Sequence, residues 1–155
     1  EPLIKKEFSR IMSLKDGLKK MSKSEASDLS RINLTDDKDQ IINKIKKAKT
    51  DTLPLPSKIE ELEKRPEAKN LIGIYSSLTN NTLQKSIDEF AGKNFSEFKE
   101  KLSDVIVNEI NPISLKIKEL LDDKVFLEKI LKDGYEKANE IASKKIKKIH
   151  EIVGF

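Results

Sequence analysis

The chain has 155 residues, 37% of them charged and 36% hydrophobic, with no cysteine and a formal net charge of +4. That length allows one domain, or one domain with part of another. The missing cysteines exclude a disulfide framework, a thiolate zinc site and an iron–sulfur cluster. No apolar run approaches the ~20 residues that span a bilayer, and no signal-peptide pattern opens the chain, so a cytoplasmic protein without membrane association is expected. Residues 1–50 hold 13 Lys/Arg against 8 Asp/Glu, while the remainder holds 18 against 19. A polyanionic partner would therefore meet the first third, against the plainer reading of a solvated Lys-rich surface. The start at Glu1-Pro2, without Met, reads as the middle of a longer protein.

In chain order, Phe8 to Leu14 is a short apolar alternation that suits a strand or strand end, and Lys15-Asp16-Gly17 is turn chemistry. Lys19 to Ser30 has four Ser, three Lys and no periodic apolar face, and is expected to be a mobile loop. Thr35 or Asp36 can cap a helix with Ile41, Ile42, Ile45 and Ala48 on one face and Lys44, Lys46, Lys47 and Lys49 on the other. Thr50 to Pro56 is a Pro-containing connector. Ser57-Lys58-Ile59-Glu60 matches a capping box for a short helix stopped by Pro66.

Leu71, Ile74, Tyr75 and Leu78 form the next stripe, which ends at Asn80-Asn81. Thr82 caps a segment closed by Gly92. The longest run, from Phe98 through Ile106 to Leu120, contains Pro112, where a kink is expected. Asp122-Asp123 opens a further segment interrupted at Gly134, and a last stripe from Ala138 to Val153 is closed by Gly154. Tyr75 and Tyr135 both sit on apolar stripes and read as core residues. Beyond residue 34 the pattern is that of an all-α bundle.

The segment that carries chemistry is Lys20-Met21-Ser22-Lys23-Ser24. Two ammonium groups three residues apart, interleaved with two hydroxyls on a flexible backbone, can fold over a triphosphate. They would neutralise charge that develops on departing pyrophosphate, where electrostatic help counts most. Such a loop works through side chains, unlike a Gly-rich phosphate loop, so it can open and close.

These five residues resemble, position for position, the signature loop of class I aminoacyl-tRNA synthetases. The surrounding segments resemble the bacterial-type tryptophanyl-tRNA synthetase family within that class. Arg10 to Leu14 is similar to that family's approach to the loop, and Lys44-Ile45-Lys46-Lys47-Ala48-Lys49-Thr50-Asp51 resembles its basic helix ending in Thr-Asp. Asn70-Leu71-Ile72 resembles its Asn-Leu-Leu helix, and Asp133-Gly134-Tyr135-Glu136-Lys137-Ala138 resembles the opening of its final helix.

The resemblance implies a mainly α fold. Residues 1–34 would be the end of a nucleotide-binding α/β catalytic domain, and residues 35–155 a helical, anticodon-binding-like tRNA domain. It implies that Lys20 and Lys23 act on the ATP phosphates. Met21, Ser22 and Ser24 would belong to the same ATP-binding loop, and Ile11 would give backbone contacts on the adenine side. Tryptophan would be activated to its adenylate and then passed to its tRNA. ATP would bring Mg2+, with no metal held by the protein, and the full-length family assembles as a homodimer mainly through the part not present here. The isolated segment is expected to be inactive.

Departures from the family pattern are as informative. Its His-containing nucleotide motif is absent, since the one His is His150 near the C-terminus, and the amino acid pocket lies elsewhere. Ser24-Glu25-Ala26-Ser27-Asp28 replaces the usual Asp-x-Asn, and Thr52 to Arg65 diverges. No residues are singled out as tRNA contacts. Two other readings stay open at this level: a tyrosyl-tRNA synthetase portion, which would be expected to continue into a further RNA-binding domain, and a non-catalytic helical RNA-binding protein with a coincidental loop.

Overall fold

A computed structural model describes residues 8–154, so the opening Glu1 to Glu7 and the terminal Phe155 lie outside the described residues. Two strands and six helices follow in order among them: β1 (Met12–Ser13), β2 (Asp16–Lys20), α1 (Lys38–Lys46), α2 (Ile59–Leu62), α3 (Pro66–Thr79), α4 (Leu83–Phe90), α5 (Phe95–Asp122) and α6 (Lys124–Val153). The mainly α reading holds. By contact density the chain divides after Ser114 into two units.

In the first unit, α3 is the element on which β2, α2 and α4 pack. Its Leu71, Ile72 and Tyr75 are buried together with Ile87 and Phe90 of α4 and Phe98, Leu102 and Ile106 of α5. Tyr75, Phe90 and Phe98 meet edge to face, with centroids 4.9–5.9 Å apart, an arrangement worth about 0.5–1.5 kcal/mol per pair beyond burial. Helix α1 has nine residues, fewer than the roughly 12–15 an isolated helix needs. It is held by the burial of Ile41, Ile45 and Ala48, each large side chain contributing ~1.5–3 kcal/mol.

Several local expectations need correcting. The cap of α1 is Asp37, in a reciprocal box with Gln40; Asp36 is instead buried as a partner of Lys44. Lys58, not Ser57, precedes α2, and no side chain caps that single turn. Pro66 starts α3 at its first turn, where a missing N–H costs nothing, as well as ending what precedes it. Pro112 lies inside α5, as the sequence places it within the longest run. Asn80 ends α3 in the left-handed conformation, and Thr82 caps α4 as expected.

The second unit comprises the last turns of α5 and all of α6. Asp123 caps α6 by accepting from the Phe126 N–H at 3.0 Å. The helix runs unbroken through Gly134, because one glycine costs a helix only about 1 kcal/mol. It closes at Gly154, whose left-handed φ of +83° lets its N–H reach the His150 carbonyl. Tyr135 is exposed, whereas Tyr75 is buried. Among the described residues no helix is long and apolar enough to cross a membrane.

Candidate functional site

The site begins with a two-stranded hairpin that could not stand alone. Consecutive residues Met12 and Ser13 pair with Lys20 and Asp16, so β2 bulges between them. The bulge draws Asp16 and Gly17 into the strand, where the sequence reads as a turn, and throws Leu18 out to solvent. Three ties then fix the hairpin. Asn70 on α3 bonds both backbone groups of Met12. The Leu14 carbonyl accepts from Lys49 N–H at 2.7 Å. Gly17 presses so closely on the start of α3 that a Cβ there would lie 2.6 Å from the Pro66 and Glu67 backbone. Lys49 pairs with Glu67 at 2.8 Å, which holds that carboxyl below its ordinary range.

Lys20 is the last residue of β2. The loop proper therefore starts at Met21, two residues later than the sequence suggests, because strand pairing takes Lys19 and Lys20. Met21 N–H donates to the Ile11 carbonyl at 3.0 Å, and the Met21 side chain packs against the core. Ser22 Oγ accepts from Ser24 N–H at 3.2 Å, which turns the chain so that Lys23 sits at the apex. Leu14 N–H donates to the Ser30 carbonyl at 2.8 Å, so the far end of the loop returns to the same hairpin. Both ends are fastened, and the segment to Ser30 is not the unanchored loop its composition suggests.

A cleft of roughly 600 Å³ opens beside this loop, within the size range of small-molecule sites. Ile11, Lys20, Met21, Ser22 and Lys23 line one side with Arg10, and the chain from Arg31 to Thr35 lines the other. Five of the six residues singled out from sequence are thus brought together. Ser24 lies outside the lining and contributes its backbone turn. Lys20, Lys23 and Arg10 are exposed cations in the cleft lining, suited to a polyanionic ligand.

Arg31 and Asn33 of the cleft lining also belong to a polar network that sequence reading missed. Lys44, expected on the solvated face of α1, is 3% exposed. Its ammonium lies 2.6 Å from both Asp28 and Asp36. The Asp28 carboxyl is held below its usual range, first by the Lys44 hydrogen bond and then by Asn33. Asn33 also donates to Asp36, and Arg31 reaches Asp28, Asn33 and the Glu25 carbonyl. The helical period already placed Lys44 here, three residues after Ile41 and four before Ala48. The surrounding run of lysines masked it.

Lys46 and Lys47, by contrast, are exposed as expected. Asp51, which ends the basic segment, makes two bonds to Arg65, at 2.6 and 2.9 Å, and Arg65 also donates to the carbonyls of Pro54 and Leu53. That pairing folds the divergent Pro connector back onto α3. His150 lies on the exposed surface of α6.

Residues 1–111 match the family model described as tRNA synthetases class I (W and Y). Over all 155 residues the chain is 51% identical to the tryptophan–tRNA ligase of Agrobacterium fabrum and 50% identical to that of Rickettsia felis, covering 44% and 46% of those proteins. The chain thus spans less than half the length of these curated relatives. The crystal structure of a tryptophanyl-tRNA synthetase from Campylobacter jejuni, complexed with ADP and tryptophan, has the same fold. It covers the whole chain at a TM-score of 0.76 and 24% identity, and the chain covers 46% of it.

Proposed function

This chain belongs to the class I tRNA synthetases (W and Y), and we propose that it is the C-terminal portion of an enzyme that ligates tryptophan to its tRNA. The observation that carries the reading is the cationic loop of Lys20 and Lys23, held at the rim of a cleft of roughly 600 Å³. Tryptophan–tRNA ligases at about half identity across the whole chain favour tryptophan over tyrosine.

In this reading ATP enters with Mg2+, and Lys20 and Lys23 meet its phosphates. A tryptophan carboxylate oxygen attacks the α-phosphorus, and the bond to the pyrophosphate oxygen breaks. The ammonium groups offset the charge gathering on that leaving group. A hydroxyl at the 3′ end of the tRNA then attacks the activated carbonyl and releases AMP. Met21, Ser22 and Ser24 shape the loop, and Ile11 offers backbone on the adenine side. Residues 1–34 belong functionally to the nucleotide-binding domain and residues 35–155 to a tRNA-binding domain, with Met12–Asn70 and Leu14–Lys49 fastening one to the other. The whole protein would be a cytoplasmic homodimer, and the 155 residues alone would lack activity, since the amino acid pocket lies outside them.

The test is ATP–pyrophosphate exchange by the whole protein with each amino acid in turn. Tryptophan-dependent exchange is expected. Exchange driven by tyrosine instead would overturn the specificity, and none with any amino acid would overturn the activity.

A further inference from the structure

The polar network around Lys44 holds more carboxylate than the buried lysine requires. A buried ammonium must be paired, and Asp36, its side chain 5% exposed and 2.6 Å away, meets that need. Asp28 is different. Its side chain is 56% exposed, and exposed ion pairs add little to stability. What Asp28 does is connect Lys44 directly to Arg31, where the other route runs through Asn33 and Asp36. One oxygen takes Lys44, and the other takes Arg31 at 3.1 Å and Asn33 at 2.9 Å. Arg31 in turn donates to the Glu25 carbonyl at 2.9 Å, two residues beyond Lys23. An unbroken polar chain thus runs from helix α1, through Asp28 and Arg31, to the loop that carries the two lysines.

We propose that Lys44 and Asp28 form a clasp that sets the position of the Lys20–Ser24 loop, which makes both of them positioning residues for amino acid activation. The proposal rests on the functional reading above. Lys44 sits on the rigid, buried side of α1, so the loop is referenced to the helical core and not to solvent. Positioning of this kind acts on rate more than on affinity, because a loop lysine misplaced by an ångström still attracts ATP but meets the leaving group poorly.

The experiment uses the whole protein with Asp28→Ala and Asp28→Glu, each alone and Asp28→Ala also in a Lys23→Ala background. Three readings are taken: tryptophan-dependent pyrophosphate exchange, thermal stability, and hydrogen exchange at the amides of Ser24 to Ser27. Asp28→Ala is expected to lower kcat on the order of 10-fold, leave KM for tryptophan and the melting temperature unchanged, and speed loop amide exchange. Asp28→Glu should restore much of the rate. In the Lys23→Ala background the further loss should be clearly smaller, since one of the two lysines that the clasp positions is already gone. Unchanged kcat, an equal loss in both backgrounds, or a loss that tracks melting temperature would each overturn the clasp. If the wild type shows no tryptophan-dependent exchange, the functional reading fails, and the amide exchange still decides whether the clasp holds the loop.

Discussion

The side-chain amide of Asn70 embraces the backbone of Met12, accepting its N–H and donating to its carbonyl, both at 2.9 Å, across 58 positions of sequence. The amide does both at once, because one end accepts and the other donates. Asn70→Ala leaves two partly buried backbone groups without partners and should destabilise the protein by about 2–4 kcal/mol. Asn70→Asp keeps the acceptor and sets a carboxylate against the Met12 carbonyl, so it should cost at least as much. Denaturant melts of the two variants check this, and a loss below ~0.5 kcal/mol in both would show that the hairpin is held elsewhere.

Close approach sets the second prediction. A Cβ on Gly17 would meet the Pro66 and Glu67 backbone, which cannot turn away, whereas one on Gly73 would first meet the Phe8 ring. Gly17→Ala should therefore cost about 1–3 kcal/mol and should disturb β2, which carries Lys20. Chemical shifts of Lys20 and Met21 amides would report that displacement.

Acid should reveal the Asp51–Arg65 pair. The Arg65 hydrogen bond holds Asp51 below its ordinary value of 3.8. A depressed folded pKa gives stability that is present above the unfolded value and lost as pH falls through the folded one. Asp51→Asn should thus be less stable at neutral pH and lose less on acidification below about pH 4. Arg65→Lys should behave like Asp51→Asn, because an ammonium cannot reproduce the two-point contact. Parallel stability curves for variant and wild type would count against the pair.

Base should reveal Tyr75. Burial, and then its hydrogen bond to Glu89 at 3.0 Å, push the hydroxyl up to about 12. A raised folded pKa gives stability that is complete below the ordinary value of 10.0 and lost as pH rises through the folded one. Tyr75→Phe should flatten the alkaline fall in stability between those values. An unchanged fall would place its cause in other groups.

How much of this was legible in sequence follows from what each signal depends on. The helices from α1 onward were readable because their apolar spacing is local, though the caps of α1 and α2 were misplaced; Thr82 and Gly92 bound α4 as their chemistry requires. The signature loop was readable because its five residues are contiguous. Gly134 misled because breaker chemistry is a local preference, and a long helix absorbs one such residue. Lys44, Asp28 and Asn70 were missed for another reason. Each works through a partner remote in sequence, and a lysine in a lysine-rich run gives no sign of being buried. Arg10 and Arg31, on the cleft wall, likewise carry no motif of their own.

The central claim is that Lys23 acts on the leaving pyrophosphate, and the kinetics of Lys23→Ala in the whole protein test it most directly. Steady-state pyrophosphate exchange should show kcat reduced by about 10²–10³, with KM for tryptophan changed by no more than about threefold. Wild-type kcat in that variant, or a loss confined to tryptophan KM, would contradict the assignment of this loop to the chemistry of activation.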